Sequence, residues 1–192
     1  MRINWGLLLV GFVFLQACNE ETYIPKPTAF HRLDFSEHAY IPFSADSCKF
    51  SFEHGSLAKV ISVPAKNGQT CWFNLEYPSL KATVHFSYYR IGKTDAKELI
   101  EDSRKLAMKH LVKADDYEES AILDEGQKVY GAMYDFQGST ASNFQFYLTD
   151  STENFIRGAL YFRVQPNADS LAPAEKYVEE ELMHLISTFK WK

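Results

Sequence analysis

Six histidines, His31, His38, His54, His85, His110 and His184, have the widest chemical range of any side chains in this sequence. A metal centre needs three or four ligands converging, commonly two of them at helical or strand spacing. Glu180 and His184 do stand at i, i+4, but ordinary pairing along a helix surface accounts for that spacing. The acidic run Asp115-Asp116-Tyr117-Glu118-Glu119 lacks the glycine and ligand spacing of an EF-hand loop and is expected to be a solvated loop. Gly138-Ser139-Thr140-Ala141-Ser142 imitates a nucleophile elbow. Such an elbow needs its serine on a strained strand-to-helix turn, whereas the flanking pattern here predicts a turn between two antiparallel strands. Phosphate loops, dinucleotide turns and HExxH helices are absent from the sequence. The residues therefore predict no catalytic group, no metal and no cofactor.

Binding chemistry is better placed in the polar connections between Ser139 and Pro173. Asp150-Ser151-Thr152 offers turn oxygens, and Gln165-Pro166-Asn167-Ala168-Asp169-Ser170 can satisfy the first amides of a following helix. Arg157 and Arg163, an even number of residues apart, share one strand face with Phe155, Ala159 and Tyr161. An arginine on the buried side would need a partner such as Asp135 or Asp150. Two readings follow: turn chemistry with a structural ion pair, or a partner-binding surface built from Asp150, Ser151, Arg157, Asn167 and Asp169. Which carboxylates face one another, and so which could share a proton, is not written in the sequence.

The three cysteines carry a separate message. Met1 to Asn4 gives a short cationic start, Trp5 to Leu15 is an apolar or glycine run, and Leu15-Gln16-Ala17-Cys18 has the pattern of a bacterial lipoprotein signal. The run is too short for a membrane span, which takes about 20 apolar residues. Residues 1–17 are thus expected to be a signal peptide and Cys18 the lipidated first residue of the mature chain, anchored stably by its acyl groups. Cys48 and Cys71 form an even pair in an oxidising compartment; a disulfide and two separate buried thiols both fit the sequence.

The elements that must position these residues follow from periodicity. Tyr23-Ile24-Pro25-Lys26-Pro27 reads as a semi-extended tether, and Phe30 to Phe43 has no clean period and is expected to lie across the surface. A short strand is predicted at Phe50 to Phe52, Val60 to Val63 is an apolar-rich stretch before Pro64, and longer strands are predicted at Thr70 to Glu76 and Ala82 to Ile91. In the last of these, Val84, Phe86 and Tyr88 fall on one face and Thr83, His85, Ser87 and Tyr89 on the other. Asp95-Ala96-Lys97-Glu98 resembles a capping box opening a helix that ends near Lys113. Three consecutive strands follow, Lys128 to Phe136, Ala141 to Thr149 and Phe155 to Val164. Phe144, Phe146 and Leu148 are expected to build the core against Ile156, Leu160 and Phe162. A final helix is predicted from about Ser170, with Pro173 in its first turn.

At 192 residues, 46% hydrophobic and 23% charged, the chain suits one globular domain. We read 1–17 as signal peptide, 18–47 as lipidated N-terminus, tether and irregular segment, and 48–192 as one α+β domain. Strands and helices are segregated rather than alternating, which predicts a central antiparallel sheet flanked by helices, an α/β/α sandwich whose element order resembles the PsbP/Mog1 layout. A formal charge of −5 with lysines scattered among carboxylates excludes a nucleic-acid surface.

Several stretches together resemble the GldD gliding-motility lipoproteins of Bacteroidota. They are Tyr23 to Pro27, Cys71-Trp72-Phe73-Asn74, Val129-Tyr130-Gly131, Thr149 to Thr152, Phe155 to Phe162, Pro166 to Pro173 and the Lys190-Trp191-Lys192 ending. Ser139-Thr140 stand where that family has Asn-Ala, and Cys48 lies outside its pattern. The resemblance implies a non-enzymatic component of the cell envelope, required for gliding and for type IX secretion. It also implies partners among other envelope proteins of those machineries, a membrane contact through the Cys18 lipid, and a domain facing the periplasm. Asn19 after the lipidated cysteine favours the outer over the inner membrane. A periplasmic hydrolase, marked by a pocket of converging carboxylates, His and Ser, and a small-ligand module with an apolar cleft are the rival readings.

Overall fold

Side-chain alternation decides the architecture, because a strand with apolar residues on both faces can be buried only between two layers. The computed structural model describes residues 37–64, 69–92, 95–165 and 168–192. Its main sheet has seven strands in the order β3-β4-β5-β9-β8-β7-β6, every neighbouring pair antiparallel. These are β3 (Lys59–Val63), β4 (Trp72–Tyr77), β5 (Ala82–Arg90), β6 (Asp116–Asp124), β7 (Val129–Gln137), β8 (Phe144–Thr149) and β9 (Asn154–Phe162). A smaller sheet orders β1 (Tyr40–Ser44), β2 (Phe50–Gly55) and β10 (Lys190–Trp191) as β1-β2-β10. Two helices, α1 (Ala96–Met108) and α2 (Ala168–Thr188), complete an α+β fold in which a central antiparallel sheet is flanked by helices.

The two faces are unequal. Val84, Phe86 and Tyr88 of β5 sit opposite Leu160, Gly158 and Ile156 of β9, and Phe146 and Leu148 of β8 sit opposite Gly158 and Ile156. With Phe73 and Leu75 these residues pack against Val178, Leu182 and Leu185 of α2 and Phe50 and Phe52 of β2. The expected core pairing of β8 with β9 is therefore the real one. Gly158 has no side chain because Phe146 lies over it: a Cβ there would come within 2.5 Å of the ring. The opposite face is thinner, with Ala107 of α1 resting on Ala132, Tyr134 and Phe136.

Five local readings need correction. The acidic run is no loop: Asp116–Asp124 is an edge strand paired with β7 along its length, and a strand with one neighbour accommodates carboxylates on its open side. Residues 40–44, within the stretch expected to be irregular, form β1, which lies antiparallel to β2. Asp95 caps α1 by accepting from the Lys97 amide at 3.4 Å rather than from the Glu98 amide expected of a capping box. The strand expected from Ala141 starts at Phe144, after a turn in which Thr140 donates to Asn143. Helix α2 begins at Ala168, so Pro173 lies in its second turn. Cys48 and Cys71 are joined by a disulfide with Cα atoms 5.4 Å apart, tying the end of the β1–β2 connection to the start of β4.

Candidate functional site

Of the residues singled out in the sequence, Cys18 and Asn167 lie outside the described residues, as does the side chain of Asp169. Asp150 and Ser151 precede β9 at Asn154, while α2 opens beyond its other end at Phe162, so the two polar connections flank opposite ends of one strand.

The Asp150 turn satisfies itself. Asp150 Oδ1 accepts from the amides of Thr152, Glu153 and Asn154 at 2.9, 2.8 and 2.9 Å, and Oδ2 accepts from Asn154 Nδ2 at 2.6 Å. Burial alone would raise the carboxyl, but these donors hold it below the ordinary range. Ser151 takes a left-handed φ of 68° and its amide donates to Thr149 Oγ1. Tyr88 and Thr149 tie the turn to the sheet by donating to Asn154. The carboxylate spends its acceptor capacity on the loop that carries it.

Arg157 differs. It points to the α1 side of β9, on the face opposite Asp135, and pairs with neither Asp135 nor Asp150: its Nη2 donates to Gln145 Oε1 on β8. Among the described residues it forms no ion pair. Burial lowers its pKa, opposed by Tyr161 and Tyr89. Arg157 Nε and Gln145 Nε2 are both buried without a hydrogen-bond partner. His85 and His110 stand on either side of the Tyr161 ring, at 5.6 and 6.1 Å. Both histidines are pushed below 6.5, first by burial and then by the charge of Arg157, with Glu76 pulling the other way on His85. Arg163, expected on the same strand face, falls beyond the end of β9 and its amide donates to Lys81 O.

On the opposite face the sequence had hidden a cluster. Glu181, 1% exposed, is held by His38 Nδ1 at 2.5 Å, while His38 Nε2 meets Glu180 at 3.1 Å. The imidazole stacks on Tyr177 at 4.5 Å, and Tyr40 stacks on His184 at 3.4 Å. His184 in turn pairs with Glu53 at 2.8 Å. Glu180 and His184 therefore do not pair along the helix as their spacing suggested; Glu180 reaches His38 just before β1 and His184 reaches Glu53 on β2. Gly55 makes the room, since a Cβ there would fall 1.2 Å from Glu181 Oε2. The hydrogen bond to Glu181 raises the His38 pKa above 6.5.

A cleft of 510 Å³ between β7 and α2 is lined by Asp135, Glu175, Glu179 and Lys176 beside Phe144, Leu160 and Ala172. Burial, with Asp135 and Glu179 nearby, pushes Glu175 up to about 7. Among the described residues no three His, Cys, Asp or Glu side chains are arranged to hold a metal ion, and no helix is long and apolar enough to cross a membrane. Sequence reasoning reached Arg157 and Tyr161 through their even spacing. It missed Gln145, and it named His85 and His110 only among dispersed histidines, because the three come from other elements and carry no shared motif.

No curated protein matches the sequence. A solved structure, the cyanobacterial PsbP of Synechocystis sp. PCC 6803, aligns with 82% of this chain and 95% of its own at 10% identity and a TM-score of 0.49. The sequence model of the gliding motility lipoprotein GldD matches residues 20–191, and the chain belongs to that family.

Proposed function

We propose that this protein is a lipid-anchored component of the cell envelope, required for gliding motility and type IX secretion, which works by protein–protein contact rather than catalysis. The family match across residues 20–191 carries this reading. Cys18 bears the lipid and the domain faces the periplasm, with the outer membrane favoured. A contact role also agrees with apolar side chains left in solvent around the end of α1, Leu106, Leu111 and Val112, the last 89% exposed.

Two measurements test it. A Cys18→Ser strain expressing normal amounts of protein is expected to lose membrane association, colony spreading and adhesin export. Unimpaired spreading and secretion would remove the need for the anchor. Crosslinking in intact envelopes followed by purification should recover other gliding or secretion proteins, and recovery of none of them would overturn the contact role.

A further inference from the structure

The α1 side of the sheet holds a group of polar side chains whose hydrogen bonding the fold only partly completes. Ala159 is its hub. Arg157 and Tyr161 flank Ala159 along β9, and His85 and Gln145 stand opposite it on β5 and β8. His110 reaches the same group from the 3-10 turn (Lys109–Lys113) after α1. Five side chains with polar atoms thus gather around one small apolar residue at the middle of a sheet.

Their hydrogen bonding is lopsided. Gln145, 1% exposed, turns its oxygen to the guanidinium, which leaves its amide nitrogen without an acceptor. Flipping the amide would set NH₂ against NH₂ and orphan more donors. Arg157 Nε is likewise buried and unpartnered. Both orphans here are donors, so the missing group is an acceptor. The half-buried guanidinium also carries a charge for which, among the described residues, the fold supplies no ion-pair partner. Similar orphans are rare in folded proteins and call for an explanation.

We propose that Arg157 and Gln145 form a binding site for a carboxylate that comes from another molecule. An ionised carboxylate accepts only, is planar, and matches the guanidinium fork with two parallel hydrogen bonds. A hydroxyl or a water molecule would satisfy a donor but leave the charge uncompensated. The charge count selects a monoanion: with His85 and His110 held neutral by burial and by Arg157, the group carries a single positive charge at neutral pH. A phosphate dianion would be undermatched. On this face His85 is exposed, and Arg157, Ser87 and Tyr161 are half-buried. The site stands independently of the contact role proposed above, since a free acid or a chain-borne carboxylate presents the same chemistry.

The test uses the full-length, ¹⁵N-labelled lipoprotein in detergent micelles, with acetate as the probe and chloride at equal ionic strength as the control. Acetate is expected to move the Arg157 Nε–H and Gln145 side-chain signals together and saturably, with chloride without effect. Arg157→Lys should weaken binding about tenfold, because lysine cannot present the fork. Gln145→Glu places an acid beside the guanidinium from within; it should fold, raise the melting temperature and abolish the acetate response. Responses that do not saturate, or that are unchanged in Arg157→Lys and Gln145→Glu, would overturn the site. To separate the sources, acetate is compared with a pentapeptide whose only carboxylate is its C-terminus and with its amidated form. A peptide midpoint at least tenfold below that of acetate, lost on amidation, assigns a chain-borne carboxylate. Equal midpoints assign a free acid.

Discussion

The two faces of the main sheet each draw a charged group in from solvent and treat it in opposite ways. Under α2, the buried acid Glu181 is met at Oε1 by His38, brought in by the segment that leads into β1, while its Oε2 is buried without a hydrogen-bond partner. Under α1, the half-buried base Arg157 meets a neutral amide and a ring of aromatic and imidazole groups and, among the described residues, no acid. A charge that holds a fold together is given its partner by the fold. One left with unpaired donors adds little to stability, because desolvation offsets whatever the hydrogen bond returns.

Breaking the first pair should have the largest effect. His38→Ala leaves the Glu181 carboxylate in the interior without its donor and is expected to cost about 3 kcal/mol in urea unfolding, with faster amide exchange in β1. A loss below about 1 kcal/mol would mean that the pair adds little to the fold and that the asymmetry is apparent only. Arg157→Met should do much less: stability within about 1 kcal/mol of the parent, with a gain as plausible as a loss. If it costs more than the His38 change, Arg157 is a structural group and the contrast between the faces fails.

Titration sharpens the comparison with the smallest effect, because the histidines on the two faces shift in opposite directions. His38 has a folded pKa above 6.5, so its contribution is complete below 6.5 and fades as pH rises through the raised value. His85 and His110 have folded values below 6.5, so the α1 side is fully stable above 6.5 and loses stability as pH falls from there through the lowered values. Local hydrogen exchange should therefore quicken in β1 on raising the pH and in α1 on lowering it, after correction for intrinsic rates. The same direction in both segments would show that a single global transition is being read.

Much of the sheet was legible because strand alternation is a local signal. Val84, Phe86 and Tyr88 against His85, Ser87 and Tyr89 could be assigned to opposite faces from the sequence, and the structure keeps that division. β6 was not legible, since its carboxylates read as solvated loop; its strand conformation comes from the hydrogen bonds offered by β7. β1 was hidden for the same reason, having weak periodicity and depending on β2 and the contacts with α2.

By itself the sequence determined the α+β class, the β8–β9 core and the family, because periodicity and long matching stretches need no knowledge of which elements meet. It also marked Arg157 as a strand residue in need of a partner. Only the tertiary structure decided that Asp135 lies on the other face, that Asp150 is consumed by its own turn, and that Gln145, His85 and His110 gather around the guanidinium instead. Strand register and the placement of helices over the sheet fix those neighbours, and both arise from contacts between residues far apart in the chain.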